Sequence, residues 1–175
     1  MAVLQRIWDL FSPTFEENQT VVPAPYTTYD IRPLTVKNLA EVWKLNQRCF
    51  QKHESYSKYT FNYLLSQPNT LSYRLTTPKG EMVGFVVIVC EKGAGHITTI
   101  GISPEHRRRG LAETLLKHIE NSLLKREINT IVLEVRVSNI AAQSLYFSLG
   151  YSMLQRINKY YTNGEDGYLM MKSLV

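Results

Sequence analysis

Only two cysteines occur, Cys49 and Cys90, far apart in the chain. No disulfide framework and no CxxC metal pattern can be drawn from them. The four histidines, at positions 53, 96, 106 and 118, include no pair at HxxxH spacing, so no metal site is predicted. No apolar run reaches membrane-spanning length, and the first residues lack the basic-then-apolar order of a secretory signal. GxxxxGKS, GxxxxGKT and GxGxxG are all missing, which excludes the Walker and Rossmann modes of phosphate binding. A net charge of +5 over 175 residues is too sparse for a dedicated nucleic-acid binder. These absences predict a reduced, metal-free, cytoplasmic protein with no direct nucleic-acid or membrane partner.

What is present fits one domain with a full-sized core. Residues 1–27 read as an extension. "VLQRIWDLF" places Leu4, Ile7, Trp8 and Phe11 on one helical stripe, and Ser12-Pro13 ends it. That stripe suits a short helix docked on the domain; a partner-binding or membrane-surface helix is the other reading. "VVPAPYTT" follows as an extended linker, and the domain proper takes residues 28–175.

Regular patterning starts near Tyr29. "YDIRPL" is a short strand, and Thr35 is placed to cap a helix carrying Leu39, Val42, Trp43 and Leu45. "KYTFNYLLSQ" is a second helix, reached through the loop "QKHESYS". Two β-rich runs around Pro-Lys-Gly predict a hairpin, and "GHITTIGIS" is a further strand. Leu111, Leu115, Ile119 and Leu123 recur every fourth residue, predicting a helix from Gly110 to about Arg126. "NTIVLEVRVSN" is a strand, "IAAQSLYFSLG" a helix stopped by Gly150, and "YSMLQRINKYY" and "GYLMMKSL" a closing strand pair. This order defines an α/β fold with a mixed sheet.

Three arginines, Arg107, Arg108 and Arg109, run straight into Gly110 and the predicted helix start. Helix N-termini carry partial positive charge, so cations are disfavoured there unless an anion joins them. Free amides in the first turn, a glycine that lets a ligand approach, and small Ala112 on the same face together suit a phosphate. Arginine forks at the rim would neutralise its oxygens. Taken alone, the run could equally be a solvated face.

In "TIVLEVRVS" one strand face takes Ile131, Leu133, Val135 and Val137, and the other Val132, Glu134, Arg136 and Ser138. A mid-strand carboxylate among β-branched residues is costly unless paired or used. Glu134 therefore forms an ion pair, with Arg136 or toward a helix, or serves as a general base acting through water. His96, at the head of "GHITTIGIS", reads as a structural histidine or a base. Tyr146 reads as an amphipathic core tyrosine. Tyr160 and Tyr161 read as cross-strand aromatics.

The strand-RRRGLA-helix arrangement resembles the acyl-CoA diphosphate loop of the GCN5-related N-acetyltransferase (GNAT) superfamily, whose pattern is Gln/Arg-x-x-Gly-x-Gly/Ala. Arg107, Gly110 and Ala112 match it. "LEVRVSNIAAQSLYFSLGY" and "YYTNGEDGYLM" resemble the branch that acetylates protein N-termini, whose pattern is LEVRxSN, AxxLYxxLGF and YYxxGEDAYLM. The likeness covers roughly residues 28–174. It implies a mostly antiparallel, splayed GNAT sheet flanked by helices, and acetyl-CoA as co-substrate without a metal. Protein or peptide N-termini, ribosomal proteins among them, are the implied acceptors. Acetylation of a small amine and a non-catalytic acyl-CoA-binding module are the alternatives.

The same resemblance implies residue roles. Arg107, Arg108, Arg109, Gly110, Leu111 and Ala112 would hold the diphosphate, while Ile100, Ile102 and Asn139 would contact the pantetheine arm. Glu134 and His96 would deprotonate the incoming amine, and Tyr146, also beside the cofactor, would protonate the leaving thiolate. Glu54, Tyr56, Tyr160 and Tyr161 would hold the peptide. Gly101 stands where the family usually has alanine, and the loop around Glu54 lacks the branch's proline.

Overall fold

The computed structural model describes residues 21–51 and 54–175. The stripe of Leu4, Ile7, Trp8 and Phe11 lies outside the described residues. Seven strands form one sheet: β1 (Asp30–Pro33), β2 (Thr70–Thr76), β3 (Met82–Glu91), β4 (Ala94–Ile102), β5 (Thr130–Arg136), β6 (Ser152–Ile157) and β7 (Gly167–Ser173). Their order is β1-β2-β3-β4-β5-β7-β6, and every neighbouring pair is antiparallel except β4 and β5. Among the described residues four α-helices accompany them: α1 (Leu39–Cys49), α2 (Lys58–Ser66), α3 (Leu111–Leu124) and α4 (Ile140–Ser148). The mixed, mostly antiparallel α/β sheet is the one the sequence predicts.

The parallel β4–β5 pair needs a crossover, and α3 supplies it. Its Leu115, Leu116, Ile119 and Leu123 are buried against Val86 and Ile88 of β3, Ile97 of β4, and Ile131 and Leu133 of β5. The opposite sheet face packs on α1 and α2, where Val42, Leu45, Phe61 and Leu64 meet Phe85, Val87 and Val89. β3 is thus covered on both faces. That explains why its sequence, "MVGFVVIVCE", is an almost unbroken apolar run with no polar alternation.

Two local expectations shift, and the helix start after the arginines holds to within one residue. Thr35 opens a single 3-10 turn (Val36–Asn38), with Asn38 Oδ1 accepting from the Thr35 N–H at 3.3 Å, and α1 follows only at Leu39. β6 stops at Ile157, because the chain leaves the sheet for a turn in which Lys159 has φ +50°. Tyr160 and Tyr161 therefore stand in the β6–β7 connection and are not cross-strand neighbours. α3 begins after the arginines, at Leu111, so the three positive charges occupy the loop before it. Gly110 is the cap residue, at φ +73°, a left-handed conformation that glycine adopts without strain.

Candidate active site

β4 and β5 pair over three rungs only: Ala94 with Thr130, Gly95 with Ile131 and His96 with Val132. Beyond His96 the strands part. Just past the split, β4 carries an extra residue at Thr98, since Ile88 faces Ile97 and Val87 faces Thr99. The bulge is held on both sides. Thr98 Oγ1 donates to Val87 O at 3.0 Å, and Tyr56 Oη donates to Thr98 O at 3.1 Å.

Two catalytic candidates meet at the split. His96 Nε2 and Glu134 Oε2 lie 2.7 Å apart, with side chains only 9% and 6% exposed. Out of water, such a contact is screened less than a surface pair. Glu134 lines a cleft of about 220 Å³ between the parted strands, with Ile97, Thr99, Ile100, Leu133, Asn139 and Tyr146. Ile102, Arg107, Ala112, Ala141 and Leu145 also line it, and all five are shared with a second hollow of about 340 Å³. That hollow adds Arg108, Gly110 and Leu111. The two spaces are one trough, running from the α3 N-terminus to Glu134.

α4 brings up the far wall. Asn139 caps it, its Oδ1 accepting from the Ala142 N–H at 3.1 Å. Tyr146 follows two turns on, 6% exposed, with its ring centroid 5.5 Å from that of Tyr151. Burial pushes the Tyr146 phenol pKa well above its ordinary value, so it stays protonated at any physiological pH.

The arginines separate in role. Arg107 Nε donates to Ile102 O at 2.9 Å and its Nη2 to Cys49 O at 3.3 Å, fastening the loop to β4 and α1. Arg108 is exposed at the mouth of the outer hollow. Arg109 turns toward residues 24–29. Electrostatic repulsion from the helix start is thus relieved by carbonyl acceptors for Arg107 and Arg109, and by water for Arg108.

Of the predicted peptide-holding residues, Glu54, Tyr56 and Tyr161 are buried and Tyr160 is half-buried. They are organised by a residue that sequence analysis considered only as a partner for Glu134. Arg136 has no exposed surface, and its Nη2 reaches Glu54 Oε1 at 2.7 Å while its Nη1 reaches Glu165 Oε2 at 2.8 Å and Asn163 Oδ1 at 3.1 Å. Its guanidinium carbon stands 3.9 Å from the Tyr161 ring centroid. Glu134 accordingly pairs with His96 and not with Arg136. The network joins the α1–α2 loop and the β6–β7 loop to the end of β5. Burial, then Glu134 and Tyr161 close by, hold the Tyr56 phenol well above its usual pKa.

The Glu54–Arg136–Glu165 link escaped the sequence because its members come from three distant segments. The one local hint was that Arg136 shares a strand face with Glu134. Cys49 and Phe50 also line the cleft and carried no sequence signal. Among the described residues no group of three or more His, Cys, Asp or Glu could hold a metal ion, and no helix is long and apolar enough to cross a membrane.

A splayed β4–β5 pair with a bulge just past the split, and a glycine-led helix below it, define an acyltransferase of the GNAT type. The chain belongs to the acetyltransferase (GNAT) family, whose pattern matches residues 39–151. It is 34% identical over 153 residues to the N-alpha-acetyltransferase daf-31 of Caenorhabditis elegans, covering 83% of this chain and 82% of that one. The crystal structure of the ribosomal-protein-S18-alanine N-acetyltransferase from Escherichia coli superposes with a TM-score of 0.78 at 31% identity, covering 84% and 94% of the two chains. A NatC complex bound to Gag peptide and CoA superposes with a TM-score of 0.73 at 25% identity, covering 84% and 99%.

Proposed function

We propose that this acetyltransferase modifies the N-terminal α-amino group of proteins or peptides, using acetyl-CoA and direct transfer in a ternary complex. The observation that carries the reading is the buried His96–Glu134 pair at the parting of β4 and β5, facing the trough.

The trough suits coenzyme A. A Cβ built on Gly110 would meet nothing within 4 Å, so the approach to the backbone is open. The first helical bond of α3 runs from the Thr114 N–H to Gly110 O, leaving the amides of residues 111–113 without acceptors inside the helix. Those amides, the helix dipole and Arg108 would hold the diphosphate. Leu111 and Ala112 would form the floor there. Ile100, Ile102 and Asn139 would border the pantetheine arm in the narrower, mostly apolar part. Bound there, acetyl-CoA supplies an acyl group activated as a thioester.

The protein's own residues do the rest. Glu134 and His96 act as one proton-accepting unit for the incoming ammonium. Past the split, β4 has no β5 partner, and a backbone N–H there supports developing negative charge. Tyr146 holds a proton at Oη for the leaving sulfur. Glu54, Tyr56, Tyr160 and Tyr161 set the two loops between which the peptide enters.

Amine acidity bears on acceptor choice. An α-amino group has a pKa of about 8 and a lysine about 10.4, so at neutral pH roughly a tenth of the former is unprotonated and far less of the latter. A modest base is enough for the first. The names of the relatives point the same way, and ribosomal proteins belong among the acceptors to test. Purified chain incubated with acetyl-CoA and peptides of varied first residue, read by mass spectrometry, should acetylate α-amines. Equal rates on a matched peptide offering only an internal lysine would refute the preference. No α-amine acetylation at all would refute the proposal.

A further inference from the structure

Residues 24–29 lie upstream of the family match yet press on the loop that leads into α3. Arg109 is their clasp. It donates to Ala24 O, to Pro25 O at 3.1 Å and to Tyr29 Oη at 2.8 Å, and its guanidinium carbon lies 4.9 Å from the Tyr26 ring centroid. The Ala24 N–H donates to Glu105 O at 3.0 Å, and Glu105 is itself held by Arg48 of α1 at 2.6 Å. Tyr29 also packs edge-on to His106, whose Nδ1 is 2.8 Å from Ser103 Oγ. Ser103, Glu105, His106 and Arg109 of the loop thus each have a fixed partner.

The loop needs such support. Arg108 sits at φ +61° and Gly110 at φ +73°, two left-handed residues within three positions. The first is unfavourable for a side-chain-bearing residue and persists only where the surroundings impose it. A loop that must present its amides to a diphosphate gains affinity from being held in that shape beforehand.

We propose that residues 24–29 form a strap that pre-sets the anion-binding loop, with Arg109 as the positioning residue joining strap to loop. The proposal rests on the reading of that loop as the coenzyme A diphosphate site. Arg109 then contributes to cofactor binding through the strap and not by touching phosphate.

The test uses full-length chains carrying Arg109→Ala, Tyr29→Phe, Ala24→Pro, and the first two together. Calorimetric titration with coenzyme A should show each single change weakening binding, with Arg109→Ala about tenfold weaker. The double variant should be no weaker than Arg109→Ala, because both remove the same contact. Tyr29→Phe should raise KM for acetyl-CoA and leave kcat unchanged, the split expected for a binding defect alone. Hydrogen exchange without cofactor should speed up at residues 108–112 in all variants. Weakening by Arg109→Ala alone, with Tyr29→Phe and Ala24→Pro silent in both titration and exchange, would overturn the strap. A wild-type chain that ignores coenzyme A would instead overturn the proposed function, while the exchange data would still judge the strap.

Discussion

His96 and Glu134, thirty-eight positions apart in sequence, meet at 2.7 Å where β4 leaves β5. Two groups in hydrogen-bond contact can serve one proton-accepting role, and either can pass the proton on. Glu134→Gln should lower kcat by about 10²–10⁴. His96→Ala should lower it as well, and the double variant should be little worse than the poorer single one, since both belong to one proton acceptor. Steady-state rates on one α-amino peptide check this; fully multiplicative losses would mean the two act independently.

Tyr146→Phe keeps the ring and its packing on Tyr151 while deleting the proton proposed for the leaving sulfur. A fall in kcat of about 10² with KM for acetyl-CoA unchanged is expected. Because burial holds the wild-type phenol protonated, Tyr146 should add no alkaline limb to the rate profile between about pH 7 and 9.

Three buried phenols, Tyr56, Tyr146 and Tyr151, all have folded-state pKa values raised, chiefly by burial. Their neutral forms are favoured by folding. This contribution is fully present below the unfolded tyrosine pKa of about 10 and is lost as pH rises toward the folded values. Buried Cys49, pushed up to about 12, adds to the same trend from its own unfolded value upward. Melting temperature should hold through neutral pH and fall steeply above about pH 10. Single Tyr→Phe changes at these positions should soften the alkaline fall.

Arg136, itself fully buried, reaches two carboxylates, buried Glu54 and partly exposed Glu165. Arg136→Met removes the guanidinium that Glu165 and buried Glu54 share and should cost about 3–5 kcal/mol in urea unfolding. Adding Glu54→Gln should recover part of that loss, because one buried negative charge is gone. KM for peptide should rise in the single variant, since the α1–α2 and β6–β7 loops lose their common anchor.

Gly101 has a physical reason to differ from the alanine usual in the family. A Cβ there would come within 2.8 and 3.0 Å of the Phe85 ring and 3.2 Å of Cys49 Sγ. Phe85 is wholly buried and cannot swing clear. Gly101→Ala should therefore destabilise by about 1–3 kcal/mol, measured by denaturant unfolding, with Phe85→Leu restoring much of it.

The chain's local order was written in short-range pattern. The four-residue recurrence of Leu111, Leu115, Ile119 and Leu123 gives α3, the unbroken apolar run gives doubly covered β3, and Gly110 and Gly150 mark a helix start and a helix end. Period and turn chemistry depend only on neighbours along the chain, so they can be read before any fold exists. The motif residues of the trough were legible through the family resemblance that those short patterns carry. Partnership was not. That Glu134 would choose His96 over nearby Arg136, that Arg136 would bind Glu54 and Glu165, and that Arg109 would clasp the linker all follow from sheet order and loop placement. The first two pairings are fixed by burial, where a charge must find whichever partner the packed fold brings within reach. Sequence spacing carries no record of that distance; only the tertiary structure sets it.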